Sequence, residues 1–218
     1  MIIAIDGPAG AGKSTVARLV AKQLGYLYIN TGAMYRAITL KALQNGIDLE
    51  DENALVKLAK ESKINFDDGG SRLILDGIDV SQEIRSPEVD RNISTVVKHP
   101  HLRGIMVKQQ QDINKQGNAV SEGRDLTTVV FPNADVKIYL DASLEERTKR
   151  RYGELKQKGY DLNVNQVQND TANRDESDKT REHGPLRLAQ DAILLDTTDM
   201  TIEQVVESIL EIVEKKKL

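Results

Sequence analysis

Residues Gly7-Pro8-Ala9-Gly10-Ala11-Gly12-Lys13-Ser14 match the pattern G-x-x-x-x-G-K-[ST] without a gap, almost at the start of a 218-residue chain. The flanks have the matching character. Ile2, Ile3, Ala4 and Ile5 form an apolar run suited to a buried parallel strand, and beyond Ser14 the residues Val16, Leu19, Val20 and Leu24 keep helical spacing. In that setting the loop's glycines allow successive backbone N–H groups to turn inward toward phosphate oxygens. The helix starting near Lys13 adds its unpaired amides and positive dipole end. Lys13 can reach the β- and γ-phosphates, and the Ser14 hydroxyl suits Mg²⁺. The stretch therefore predicts a nucleoside triphosphate site made of Gly7, Pro8, Ala9, Gly10, Ala11, Gly12, Lys13, Ser14 and Thr15, with Ser14 as the metal ligand.

Composition narrows the class. Hydrophobic residues make up 39% and charged residues 29%, ordinary for a soluble globule, and the length suits one α/β domain with a small insertion. A net charge of −4 argues against a surface that coats nucleic acid, so an anion site must be local. With no cysteine, disulfides and thiolate metal sites are excluded. A phosphate loop this close to Met1 leaves no room for a leader peptide, and no apolar run approaches the ~20 residues that span a bilayer. The expectation is a cytoplasmic protein that engages neither membrane nor nucleic acid.

Along the chain, strands and helices alternate, which predicts a parallel sheet covered on both faces. Tyr26–Ile29 reads as a strand ending at Asn30-Thr31-Gly32, followed by a helix carrying Met34, Ala37, Ile38 and Ala42. Pro100 suits the first turn of a helix with Leu102, Ile105, Met106 and Ile113. Ala119–Ser121, Val136–Leu140 and Ala192–Leu195 read as strands. Ser143 with Glu146 predicts a capping box. Thr201 with Gln204 opens a last helix whose stripe of Ile202, Val205, Val206, Ile209, Ile212 and Val213 is assigned to the core.

Two regions break the alternation. Ile64–Phe66, Leu73–Leu75 and Ile78–Val80, separated by Asp67-Asp68-Gly69-Gly70 and Asp76-Gly77, predict a three-stranded antiparallel meander inserted as a substrate-binding lobe. From Arg147 to Arg181, the arginines Arg147, Arg150 and Arg151 precede a polar segment around Gly153 to Asp170, assigned to a flexible lid that brings positive charge to a transferring phosphoryl group. The resulting division is a core at 1–62, 95–145 and 185–218, an insertion at about 63–94 and a lid at about 146–170.

Phosphate loops serve hydrolases, switches and kinases. The nearest match to an Asn-Lys-x-Asp guanine reader is Asn114-Lys115-Gln116-Gly117, which lacks the carboxylate. Val120-Ser121-Glu122 is a weak fit to the acidic strand end of an ATPase motor. Arg36, Arg103, Arg124, Arg174 and Arg181 instead read as cations at strand ends, on the edge where open α/β sheets bind ligands, and suggest a second phosphorylated substrate.

Ile5-Asp6-Gly7-Pro8-Ala9-Gly10-Ala11-Gly12-Lys13-Ser14, Thr31-Gly32-Ala33-Met34-Tyr35-Arg36, Glu122-Gly123-Arg124-Asp125 and Thr128-Val129-Val130-Phe131-Pro132 resemble the bacterial cytidylate (CMP) kinases. The likeness continues through Val136–Ser143, Glu145-Glu146-Arg147, Arg174-Asp175, Asp178, Arg181 and Pro185-Leu186, essentially the whole chain. It implies a P-loop NTPase-type fold of the nucleoside monophosphate kinases, acting as a monomer on ATP with Mg²⁺ and on CMP or dCMP. By resemblance, Arg36, Arg124 and Arg181 hold the acceptor's α-phosphate, for which a planar guanidinium is apt. Arg174 and Asp178 serve the ribose, Ser94, Arg103 and Asp125 read cytosine, and Thr31 and Tyr35 complete the CMP contacts. Lys13, Arg124, Arg181, Arg147 and Arg151 carry the catalytic charge. Kinases of UMP, AMP or shikimate, and a non-catalytic nucleotide switch, are the alternatives. Glu122 where some relatives carry Asp, and Thr127 where a relative carries Gly, are the two departures from the family pattern.

Overall fold

The structure is a computed structural model that describes every residue except Gln116, Lys158, Tyr160, Asp161, Leu162 and Leu218, together with the backbone alone of Asp68. Gln116 of the guanine-reader comparison and residues 158 and 160–162 of the predicted lid thus lie outside the described residues. A central parallel sheet of five strands is flanked by helices and accompanied by a small antiparallel sheet of three. The large sheet is ordered β2 (Leu27–Asn30), β6 (Ala119–Glu122), β1 (Ile2–Asp6), β7 (Val136–Asp141), β8 (Ile193–Asp196). Chain contacts divide into two compact units, one of residues 2–20 and 122–218, the other of Met1 and residues 21–121.

In the first unit, β1 pairs in parallel with β7, Ile3 opposite Val136 and Ile5 opposite Ile138, and β7 pairs with β8. Both faces of β1 and β7 are buried, which is why their sequences run apolar rather than alternate. Helix α1 (Lys13–Leu24) starts here, and α6 (Leu144–Gln157), α7 (Val164–Thr180) and α8 (Ile202–Lys217) belong wholly to this unit. Thr201 and Gln204 make the reciprocal capping box before α8, at 2.9 and 3.3 Å. Its Val205, Val206, Ile209 and Val213 are buried, while Ile202 is exposed. The box predicted before α6 is half made. Glu146 N donates to Ser143 Oγ, but the Glu146 carboxylate turns to Arg150 and Ser143 N donates to Thr198 instead.

The segment read as a flexible lid is largely helical where it is described. α6 runs on to Gln157, and α7 begins at Val164 behind Asn163, whose side chain accepts from Asn165 N at 2.8 Å. Val167, Thr171 and Asp175 are buried along α7, a narrow and mostly polar strip that weak hydrophobic periodicity concealed.

In the second unit, Asn30 caps α2 (Thr31–Gln44) directly off β2 by accepting from Ala33 N at 2.8 Å. Asp51 caps α3 (Glu52–Glu61), and Ser86 with Pro87 starts α4 (Pro87–Val97); neither helix was read from the sequence. Pro100 does open α5 (Pro100–Asn114). The meander is present as β3 (Ile64–Asp67), β4 (Arg72–Leu75) and β5 (Ile78–Asp79), with Phe66 opposite Leu73 and Leu75 opposite Ile78. Asp76 and Gly77 take φ of 52° and 86° in the tight turn between β4 and β5. Met34, Ile38, Leu55, Leu75, Leu102 and Met106 are among the residues that pack one core beneath these elements.

Candidate active site

β1 runs straight into the phosphate loop, and two neighbouring elements fix the loop's path. Gly7 lies at φ +146°, where a Cβ would fall 2.0 Å from the Leu140 carbonyl oxygen of β7. Gly10 lies at φ +78° against α6, where a Cβ would meet the Arg147 carbonyl oxygen at 2.9 Å. Only glycine meets both conditions. Ser14 is exposed in the first turn of α1, whose unpaired amides and dipole favour an anion. Lys13 is buried and its Nζ donates to Pro8 O at 2.7 Å. Burial and then the charge of Arg124 pull its pKa down to about 7, against the opposing pull of Glu122 and Asp178.

The segment after β6 carries the second cluster. Arg124 is held by Asp178, Nε to Oδ2 at 2.8 Å, and also donates to Gly123 O at 3.3 Å. Burial works against the Arg124 charge, yet Asp178, followed by Glu122 and Asp175, keeps its pKa above the ordinary guanidinium value. Burial likewise works against the Asp178 carboxylate, and Arg124, Arg174 and Arg181 overcome it, so its pKa is lowered. Arg181 donates from Nε to Gly184 O at 2.5 Å and lies 3.6 Å from both Asp125 and Asp178. Asp125 is thus within ion-pair distance of Arg181.

This segment is anchored by a residue outside the predicted site. Asp6, fully buried at the end of β1, accepts from Leu126 N at 3.0 Å, Thr127 N at 2.7 Å and Thr127 Oγ1 at 2.7 Å. Burial pushes its pKa up, and the bonds from Thr127 and Leu126 work the other way. Leu126–Val130 then forms a single π turn, with Val130 N donating to Asp125 O at 3.2 Å and Phe131 N to Leu126 O at 2.7 Å. A carboxylate closing an otherwise apolar strand run was the signal available for Asp6.

The three arginines of α6 go to different places. Arg147 is buried and bound to Ala142 O, Ala9 O and Asp175. Arg150 bonds Glu146 and both the hydroxyl and the carbonyl of Thr197. Arg151 reaches Glu154 at 3.2 Å.

Thr31, Tyr35, Arg36, Ser94 and Arg103 lie in the second unit. Thr31 is buried at the first position of α2. Arg36 donates to Ile84 O at 3.2 Å and pairs with Asp90 at 2.5 Å. Arg103 is buried, with its guanidinium 5.7 Å from the centre of the Tyr35 ring and a bond to Val97 O at 3.4 Å. Ser94 is exposed on α4. The expectation that the arginines stand at strand ends holds for Arg124 alone. Arg36, Arg103 and Arg174 are on α2, α5 and α7, because Asn30, Pro100 and Asn163 start those helices before each arginine is reached, and Arg181 caps the C-terminus of α7. No group of three or more His, Asp or Glu suited to a metal occurs among the described residues, and none of the described helices is long and apolar enough to cross a membrane.

The cytidylate kinase family model matches residues 3–215. Cytidylate kinases of Caldanaerobacter subterraneus subsp. tengcongensis and Bacillus pumilus are each 52% identical to this chain, covering 98% and 96% of it and 94% of their own lengths. That of Bacillus subtilis is 49% identical over 98% of this chain and 96% of its own. An uncharacterized protein from Eubacterium ventriosum of known structure superposes with a TM-score of 0.55 over 98% of both chains at 12% identity, a likeness of fold alone. A family model matched almost from end to end, with relatives about half identical over nearly their full lengths, means that this chain belongs to the cytidylate kinase family.

Proposed function

We propose that the protein transfers the γ-phosphoryl group of ATP, with Mg²⁺, to CMP or dCMP, giving CDP or dCDP. The observation that supports this best is the presence in one unit of two phosphate-seeking groups. One is the shaped loop with Lys13, and the other is the Arg124–Asp178–Arg181 cluster. Phosphoryl transfer asks for little covalent chemistry, only that donor and acceptor be held in line while charge is neutralised. The loop amides and Thr15 hold the donor, and Lys13, Arg147 and Arg151 belong to its cationic surroundings. Arg124 and Arg181 orient the acceptor phosphate, with Arg36 assigned to the same group by family resemblance.

By resemblance, Arg174 and Asp178 are assigned to the ribose, Ser94, Arg103 and Asp125 to the base, and Thr31 and Tyr35 to further CMP contacts. The cytosine edge offers an amino donor and two acceptors, which a carboxylate, a guanidinium and a hydroxyl would match. The exposed Ser14 hydroxyl and the buried Glu122 carboxylate are oxygen donors of the kind Mg²⁺ takes, and would hold it, Ser14 directly and Glu122 through water. Mg²⁺ bound there would supply charge neutralisation along the donor's phosphates. The acceptor phosphate is already ionised, so no residue need serve as its base. A cytoplasmic location is supported by the cysteine-free composition, and a monomer rests on resemblance. A coupled assay of ADP formation with CMP, dCMP, UMP and AMP tests the reading. Turnover with CMP and dCMP well above UMP and AMP is expected; no turnover, or equal turnover with AMP, overturns it.

A further inference from the structure

The peptide of Ala9 in the phosphate loop is held at both ends by one buried ion pair. Its N–H donates to Asp175 Oδ1 at 3.3 Å, and its carbonyl accepts from Arg147 NH1 at 3.1 Å. Arg147 NH1 also bonds the other oxygen of Asp175, and Arg147 Nε donates to Ala142 O at 2.9 Å, which ties the pair back to the end of β7. Both side chains are less than a tenth exposed. The next residue, Gly10, lies against the Arg147 backbone. Two helices remote in sequence thus shape one stretch of loop.

We propose that Asp175 is a positioning residue of the donor site: with Arg147 it fixes the Ala9 peptide, and so sets the shape of the phosphate loop before a triphosphate arrives. A carboxylate bonded to a loop amide opposes an incoming anion unless its charge is matched, and Arg147 matches it. The pair therefore acts as a unit. Removing the cation alone does more harm than removing both charges.

The inference rests on ATP as the donor. Asp175→Asn keeps the size of the side chain and is expected to raise the KM for ATP about ten-fold, the scale of a lost bond to a charged group, while the KM for CMP stays within about two-fold. Arg147→Gln is expected to raise the ATP KM further, and the double variant to fall back toward Asp175→Asn. An unchanged ATP KM in a folded Asp175→Asn protein, strictly multiplicative effects in the double variant, or equal changes in both KM values overturn the proposal. Amide exchange in the wild-type protein without nucleotide decides the matter if the variants do not fold. The Ala9 amide should exchange at least about ten-fold slower than an unprotected amide, and an unprotected rate overturns the clamp. That measurement involves no nucleotide, so it stands even if wild-type turnover shows that ATP is not the donor.

Discussion

The phosphate loop takes its path from what its residues lack: at Gly7 and Gly10 no Cβ can be accommodated against Leu140 and Arg147. The segment from Glu122 to Val130 takes its path from what another residue supplies, the Asp6 carboxylate that gathers two amides and a hydroxyl. Their cations differ in the same sense. Lys13 is hydrogen-bonded to a neutral carbonyl and burial draws its pKa to about 7, whereas Arg124 lies on the Asp178 carboxylate and its pKa is raised. One region carries a charge that an arriving phosphate would stabilise. The other has its charge already compensated and offers a phosphate mainly geometry, so the two should respond differently to mutation and to pH.

The largest effect belongs to Lys13. Lys13→Met keeps the aliphatic bulk and removes the ammonium, and turnover should fall about a thousand-fold, the scale for losing a group that stabilises transition-state charge. Near-normal kcat would remove Lys13 from the mechanism. The same variant tests the burial argument. With a folded pKa of about 7 and an ordinary value of 10.5, the unfolded chain binds more protons between those limits, so this group makes wild-type stability rise with pH across that window. Urea unfolding at two pH values inside it should show a steeper rise for wild type than for Lys13→Met. Equal slopes would mean that the ammonium is not destabilised by burial.

Asp125 separates the two regions by specificity rather than rate. If it accepts from the cytosine amine, Asp125→Ala should weaken CMP by about 1.5–3 kcal/mol and UMP much less, so that the CMP/UMP ratio of kcat/KM falls about ten-fold or more. The competing role is visible in the structure, where Asp125 lies 3.6 Å from Arg181. If it only steadies that arginine, CMP and UMP should decline in proportion, and base reading would rest on Ser94 and Arg103.

How far the sequence could be read follows the same division. The phosphate loop is a local structure whose glycine spacing is its own signature, and the positive φ at Gly7 and Gly10 was foreseeable from it. The meander was legible for the same reason, through the Asp76-Gly77 turn and short alternating strands. Nothing local announces the π turn at Leu126–Val130, because its anchor, Asp6, is more than a hundred residues away. The Arg147–Asp175 pair was hidden similarly: Arg147 reads from the sequence as a lid cation, and only tertiary contacts bury it against Asp175. Arg36 and Arg103 were recognised as residues but misplaced at strand ends, although the helices expected after Asn30 and from Pro100 onward are the ones that carry them.

Thr127 offers the mildest test. There this chain places a hydroxyl that supplies one of the three hydrogen bonds to Asp6. Thr127→Val replaces it with a methyl of similar size and leaves both amide bonds in place, so the loss should be about 1–2 kcal/mol. The pH dependence has a definite sign. Asp6 has a raised pKa in the folded protein. Between the unfolded value and that raised value the native state holds the extra proton, and stability falls as pH rises through the window. The hydroxyl bond lowers the Asp6 pKa, so removing it moves the upper edge of the window higher. Thr127→Val should therefore cost more on the alkaline side of that window, where ionised Asp6 needs the missing donor, than on its acid side, where a protonated carboxyl needs it less. Chemical denaturation of both proteins at a pH on each side measures this. Equal losses would assign the Thr127 contribution to packing, and Asp6 would then hold the segment through the backbone amides alone.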